Sequence, residues 1–352
     1  MSFFKSIIKD LPAMTSMAVD GTSSSEFDGY VDTGSYTLNA ALSGSIFNGI
    51  PNNKVTVFGG DPATGKTFFV LGIIKQWLTD NKEGYVFYCD TESAVTNKML
   101  EDRGIDLTRV IKSEPETIEQ FRQTILQLLD KYMEVPIKQR EPLLIVLDSL
   151  GNLSSVKEVE DIRAEKDTRD MTKAGLIRGT FRVLRLRLAK ANVPMVVTNH
   201  VYSVVGAYVP TKALSGGSGL IYASDCIAML SKSKERDKER NVVGNIVKIR
   251  MEKSRLSKEN SEVEVRISYS GGLDRFHGIL EMAVDAGMVE NNNGRYLFPG
   301  FEKTATANKI AESPTTYFTP DFLKKLDENY VQPNFSYGRI VATQNEPILE
   351  EE

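Results

Sequence analysis

Apolar and polar positions alternate along this chain with two periods, and the switches between them outline its architecture. Residues 54–58 (KVTVF), 85–89, 143–147 and 194–198 are short apolar runs of the kind that strands buried on both faces require. Between them the period lengthens to that of a helix, over 66–79 and 176–191. It does so again over 117–133, where Ile118, Phe121, Ile125, Leu128, Leu129 and Met133 recur at helical spacing. Buried strands alternating with helices predict a parallel sheet covered on both faces. After a further strand at 224–230 the pattern turns antiparallel, with alternating strands at 242–251 and 262–269 joined by a charged turn. A helix over 278–286 and a strand at 295–298 follow in a smaller region.

The same pattern divides the chain into an arm (1–35), a core (36–270) and a small C-terminal region (271–352) with an acidic tail, ILEEE. In the arm, one or two helical turns at 3–11 precede a Gly/Ser/Thr/Asp stretch with little to bury. Two connections, 151–173 and 201–219, are too long for bare turns, and loops of that length inside a compact domain are usually functional.

Composition narrows the classes. Hydrophobic residues make up 41% and charged residues 26% of 352, enough for a sizeable core. Apolar runs such as 143–147 fall far short of the roughly 18 residues a membrane helix needs, and the first residues lack a secretory cleavage pattern. Two cysteines, Cys89 and Cys226, exclude a disulfide framework and fit a reducing cytoplasm. The net charge of −4 means that any contact with nucleic acid requires a local basic surface.

The sharpest chemical signal is Gly60-Asp61-Pro62-Ala63-Thr64-Gly65-Lys66-Thr67, a GxxxxGK[ST] phosphate loop between a predicted strand and a predicted helix. Its backbone N–H groups would converge on phosphates, Lys66 would reach the β- and γ-phosphates, and the Thr67 hydroxyl would coordinate Mg²⁺. A second apolar strand ends in Asp148, positioned for the magnesium shell, and a third ends in YCDTE (88–92), where Glu92 is the candidate to direct an attacking water. This set suits a water-activating ATPase.

The order of these elements, phosphate loop, YCDTE, then IVLDSLGNL (145–153), resembles the RecA-type recombinase family. DSLGNLSS (148–155), TNH (198–200), SGGSGLIYASD (215–225), EKSR (252–255) and GGLDRFHGILEMAVDAGMV (271–289) are similar to its T4-type phage branch, the UvsX-like recombinases. The likeness spans about 36–289. It implies a RecA-like ATPase core that binds ATP and Mg²⁺ and polymerises on single-stranded DNA as a helical filament. That filament would carry out homologous pairing and strand exchange with duplex DNA in a host cytoplasm, helped by a recombination mediator and a single-stranded-DNA-binding protein.

The resemblance also assigns roles by position. The two long connections become mobile DNA-binding loops, with Gly216, Gly217 and Gly219 letting the second approach a phosphate. Asn199 and His200 become sensors of the γ-phosphate, and Lys253 and Arg255 reach the nucleotide of a neighbouring protomer. Where relatives often stack an aromatic or arginine side chain on adenine, this chain has Met99, with Arg103 one turn on.

The local basic surface is present as well. Arg178, Arg182 and Arg185 fall on one face of the predicted helix 176–191, which with Arg187 and Lys190 carries five basic residues and no acid. The expected DNA contacts are Arg169, Lys173, Arg178 and Arg182, with Tyr202, Ser215, Gly216, Gly217 and Ser218 from the second loop. The stretch 232–240 (KSKERDKER) reads as a solvated hairpin tip. A RecA-fold hexameric helicase shares most of these features, but this chain has no substantial N-terminal domain before the core. A DNA-coating protein without hydrolysis would not need Glu92, and a small-molecule phosphotransferase would need an acceptor pocket that the sequence does not offer.

Overall fold

The computed structural model describes residues 29–166, 170–203 and 212–337. The first of these form a short antiparallel pair, β1 (Tyr30–Val31) with β2 (Ile50–Pro51), on either side of helix α1 (Tyr36–Ser43). Strand and helix then alternate: β3 (Val55–Gly60), α2 (Lys66–Asp80), β4 (Tyr85–Asp90), α3 (Asn97–Glu101), β5 (Val110–Ser113), α4 (Ile118–Glu134) and β6 (Leu143–Asp148). Helices α5 (Val156–Arg163) and α6 (Lys173–Ala191) lead to β7 (Met195–Ser203), β8 (Lys212–Leu214) and α7 (Ser218–Ala223). A meander follows: β9 (Cys226–Arg236), β10 (Val242–Ser254), β11 (Glu262–Ser268) and β12 (Gly272–Leu273).

The main sheet runs β12-β11-β10-β9-β3-β7-β6-β4-β5, with β8 paired to β7. Strands β3 to β7 are mutually parallel, β9 joins β3 in parallel, and β10 to β12 extend the sheet antiparallel. This is the predicted mostly parallel α/β architecture with an antiparallel extension. Successive strand residues supply opposite cores, as the two-residue period demands. Leu144 and Val146 join Phe58 and Phe69 under α1 and α2, while Leu143, Ile145 and Leu147 join Phe121, Phe181 and Leu188 under α4 and α6.

Helix starts follow local chemistry. α4 opens on a reciprocal capping pair, in which the Gln120 amide donates to Thr117 Oγ1 and the Thr117 amide donates to Gln120 Oε1, each at 3.2 Å. α5 opens on a second such box, Ser155 with Glu158.

Several expectations need correction. The connection 151–173 is not a bare loop, because α5 occupies its middle and α6 begins at Lys173 rather than Leu176. The connection 201–219 starts and ends as a hairpin, with Val201 opposite Leu214 and Ser203 opposite Lys212. Most of 232–240 is strand: β9 reaches Arg236, and only the turn closed by the Asn241 amide on Asp237 Oδ1 (2.8 Å) lies at the tip.

The proposed arm lies outside the described residues up to position 28. Its last part is folded into the core, since Thr33 and Ser35 are buried and Asp32 accepts from Arg275 at 2.7 Å.

Beyond the meander, α8 (Ile279–Asp285), a three-stranded sheet of β13 (Glu290–Asn292), β14 (Arg295–Leu297) and β15 (Ala305–Thr306), and helices α9 (Ala307–Glu312), α10 (Pro314–Tyr317), α11 (Pro320–Leu326) and α12 (Gln332–Phe335) close the fold. Phe276, Phe298, Tyr317, Phe318 and Phe322 meet there as one aromatic cluster. The buried Asp327 fastens this region to the core by accepting from Ser45 Oγ (2.9 Å) and the Ile46 amide (2.7 Å).

Asp327→Ala would leave both donors unpaired in a buried place, so stability is expected to fall by about 1–3 kcal/mol. Urea unfolding monitored by circular dichroism reads this as a lower midpoint, and an unchanged midpoint would show that the fastening is elsewhere.

Candidate nucleotide site and DNA-facing surface

The turn between β3 and α2 sits at the carboxyl edge of the sheet, where open α/β sheets bind ligands. Gly65 adopts φ +89°, a left-handed conformation that costs other residues strain, and an added Cβ there would meet open space. No side chain caps α2, and no acid stands in its first turn, so the loop and helix N-terminus form an uncapped, electropositive cradle. That cradle fits a triphosphate.

Lys66 is folded back over its own loop. Its Nζ donates to the carbonyls of Gly60 (3.0 Å) and Asp61 (2.9 Å), and more weakly to His200 Nδ1 (3.4 Å). Burial pushes the Lys66 ammonium down, against the pull of Glu92, Asp148 and Asp61. Thr64 and Asp61 close the turn (2.9 Å), and Asp61 pairs with Lys212 on β8, which joins the phosphate loop to the hairpin.

The neighbouring strands bring their acids to the same edge. Asp90 stands opposite Asp148 and His200 opposite Gly60. Asp148 is buried and accepts from the Tyr88 hydroxyl (2.7 Å) and from Thr198 Oγ1, so its carboxylate is held in place at the edge where Thr67 opens α2. Those two residues would hold a magnesium ion's oxygen-rich shell. Asp90 plays another part, accepting from the amides of Glu92, Ala94 and Val95 and so shaping the turn that presents Glu92.

Glu92 is the centre of a short relay. Its Oε1 receives Ser149 Oγ at 2.9 Å and His200 Nε2 at 3.0 Å. Because an ammonium can only donate, His200 Nδ1 is the acceptor from Lys66 and Nε2 carries the hydrogen given to Glu92. Burial alone would raise the Glu92 carboxyl. Hydrogen bonds from Ser149 and His200, with the positive charge of Lys66, outweigh it and hold the group below its ordinary value. Gly151 makes room for this arrangement, since a Cβ there would lie 3.0 Å from the His200 ring. The sequence reading missed Ser149, whose signal was only its place after Asp148.

From His200 the chain of contacts continues into the second connection. Asn199 Nδ2 donates to the Ser215 carbonyl (2.7 Å), the Ser215 amide donates to the His200 carbonyl (2.9 Å), and Asn199 Oδ1 accepts from the His200 amide (3.0 Å). Arg103 lies 4.4 Å over the ring of Phe68 on α2 and donates to the Met99 carbonyl. Phe68, half exposed, was not singled out from the sequence.

The expected DNA-facing residues differ in their surroundings. Lys173 is paired with Glu158 (3.0 Å), and Arg169 and the side chain of Ser218 lie outside the described residues. Gly216 and Gly219 pack against α6, where a Cβ would run into Ile177 (2.8 Å) and Arg178 (2.7 Å), so helix packing already explains them. Tyr202 is exposed on β7. Arg178, Arg182 and Arg185 of α6 all line a groove of about 770 Å³ with Lys54 and the exposed Tyr222, but their partners differ: Arg185 is held by the buried Asp225 (3.0 Å), and Arg187, farther along the helix, by Asp130 (2.7 Å). Arg185 is therefore not a simple member of a phosphate track.

Lys253 and Arg255 lie at the opposite end of the sheet from the phosphate loop. Lys253 stands opposite Ile227 and Ser254 opposite Cys226, at the start of β3, whereas Gly60 pairs with Leu230 at its end. Neither can serve its own protomer's cradle.

A cradle for a triphosphate, strand-end acids around it and a hairpin tied to the adjoining Asn199 and His200 define an α/β phosphate-loop protein of the RecA-like class. The RecA N-terminal domain family matches residues 3–274, and the chain belongs to that family. The Recombination and repair protein of Enterobacteria phage T4 is 30% identical over 316 residues, covering 87% of this chain and 79% of the relative. Protein RecA of Thermus aquaticus is 29% identical over 290 residues, 81% of each. Among solved structures, that of the RadB recombinase superposes with a TM-score of 0.51 at 22% identity, covering 70% of this chain and 99% of that one, a likeness of fold. Among the described residues, no helix is long and apolar enough to cross a membrane.

A depressed Glu92 stays charged as pH falls from neutral and takes up its proton only below the ordinary carboxyl range. Ser149→Ala removes one of its two donors, so the acid limb of a pH–activity profile is expected to move to higher pH. An unmoved limb would remove Ser149 from the relay.

Proposed function

We propose that this chain is a DNA-dependent ATPase that forms helical filaments on single-stranded DNA and catalyses homologous pairing and strand exchange, in recombination, repair and recombination-dependent replication. Family membership supports the recombinase activity with ATP and Mg²⁺. The observation that carries the finer reading is the continuous contact path from Lys66 through His200 to Ser215, because it joins the nucleotide cradle to the second connection. A DNA-coating protein without hydrolysis would have no use for such a coupling.

In this mechanism Gly60–Thr67 wraps the triphosphate, and Lys66 turns from the carbonyls of its own loop to the phosphate oxygens. Thr67 and Asp148 hold the magnesium shell. Bound Mg–ATP supplies the phosphoanhydride bond that is broken. Glu92 orients the attacking water, kept charged by Ser149 and His200. His200 feels the change at the γ-phosphate and passes it through the Ser215 contacts to the hairpin, loosening the DNA grip. Lys253 and Arg255 act on the neighbour's nucleotide, which makes hydrolysis depend on assembly. Arg103, beside Phe68, faces the base.

Phosphates of single-stranded DNA would be held by Arg178 and Arg182, with Arg169, Lys173, Tyr202 and the 215–218 segment nearer the bases. The part of the 1–35 arm that precedes residue 29 would dock on the adjacent protomer, since 29–35 belong to the core. A recombination mediator and a single-stranded-DNA-binding protein complete the partners, in the host cytoplasm.

The test is ATP hydrolysis with and without single-stranded DNA, for the native chain and Glu92→Gln, with negative-stain imaging. Strong stimulation, helical filaments and a loss of roughly 10²–10⁴ in the variant's turnover with nucleotide binding retained are expected. DNA-independent turnover by closed rings would instead identify a helicase-type motor.

A further inference from the structure

At the amino edge of the sheet, three cations converge on one carboxylate. Asp225, only 1% exposed, donates its amide to the Val55 carbonyl (2.9 Å) and accepts the Val55 amide on Oδ2 (3.3 Å), which fixes it to the first residue of β3. Its other oxygen, Oδ1, receives Arg185 at 3.0 Å and has Arg255 Nε at 3.6 Å. Lys253 completes the group. Its Nζ donates to the carbonyls of Ile221 (2.6 Å) and Ser224 (2.7 Å), the residues that end α7 just before Asp225.

We infer that Asp225 is the positioning residue for the trans-acting pair, an inference that rests on the role just proposed for Lys253 and Arg255. The two contacts of Oδ1 differ in kind. Arg185 sits within hydrogen-bond distance and neutralises most of the buried charge, as a buried carboxylate requires. Arg255 is beyond hydrogen-bond distance and about half exposed. A contact of that length steers the guanidinium without clamping it, so the fork remains available for a two-pronged bond to a phosphate.

An arginine on an exposed strand end would otherwise sample many rotamers, and each productive encounter would have to order it afresh. Arg185 therefore serves the interface from behind: it lines the same groove as Arg178 and Arg182, but its bond to the buried Asp225 gives it this second role. Lys253 depends on the same turn, because the carbonyls that hold it belong to the segment Asp225 anchors. The surplus of positive charge that results faces outward, suited to a highly charged anion presented by a second copy of this chain.

The experiment is subunit mixing. Asp225→Asn keeps an oxygen for the Val55 amide and removes the charge. Alone, it is expected to bind a fluorescent ATP analogue as the native chain does, with unchanged KM, while kcat on single-stranded DNA falls between about ten- and a hundredfold. Asp225→Glu should recover part of that loss.

Mixed in equal amounts with Lys66→Ala, it should recover to about a quarter of the native rate. Heterologous contacts in such a mixture pair an intact cradle with an intact edge in about that proportion. The Lys253→Ala/Arg255→Ala double variant mixed with Lys66→Ala is the reference. If the reference mixture recovers and the Asp225→Asn mixture does not, the defect lies within its own protomer and the inference is overturned. If neither recovers, the trans-acting reading itself fails. Should Asp225→Asn not fold, Asp225→Ser, which also retains an oxygen without charge, goes through the same mixtures.

Discussion

The parallel register of β3, β7, β6 and β4 is the constraint on which the site depends. Gly60 lies beside His200 and Asp148 beside Asp90, so the strands end together on neighbouring tracks roughly 5 Å apart. Every polar group that follows a strand end is then within reach of the next. A slip of one residue in β7 would turn His200 to the other face and remove it from between Lys66 and Glu92. The apolar interiors of these strands, buried on both sides, are what make such a slip costly.

Charge is distributed along the sheet in opposite senses at its two ends. The carboxyl edge gathers Asp61, Asp90, Glu92 and Asp148 around one buried lysine, and the amino edge gathers Arg185, Lys253 and Arg255 around one buried aspartate. A chain with a net charge of −4 thus carries concentrated positive charge where an anion from another molecule would arrive. Some basic residues elsewhere are locally paired, as Lys173 is with Glu158 and Arg187 with Asp130.

The C-terminal region shares the core instead of hanging from it. β12 belongs to the main sheet, Arg275 stacks 4.3 Å over the ring of Tyr36 while pairing with Asp32, and Asp327 reaches Ser45 and Ile46. Residues far apart in sequence therefore brace α1, which lies against the antiparallel extension that carries Lys253 and Arg255.

Strand and helix periods, the phosphate loop and the acids at the ends of β4 and β6 were legible in the chain, because each depends on residues a few positions apart. The core strands and long helices fall within a few residues of their predicted ends for that reason. The Ser155–Glu158 capping box is equally local, yet the length of 151–173 points to a loop and hides it. What the chain could not show is pairing across distance. Ser149 meets Glu92 over 57 positions, His200 meets Glu92 over 108, and Arg185 meets Asp225 over 40. Arg178, Arg182 and Arg185 look alike as a helical stripe, and only the buried carboxylate beside the third separates it from the others. By itself the sequence determined which residues could bind phosphate, metal and water. Tertiary structure decided which of them act together, because strand register and helix packing, not spacing along the chain, set the few ångströms over which hydrogen bonds and charges act.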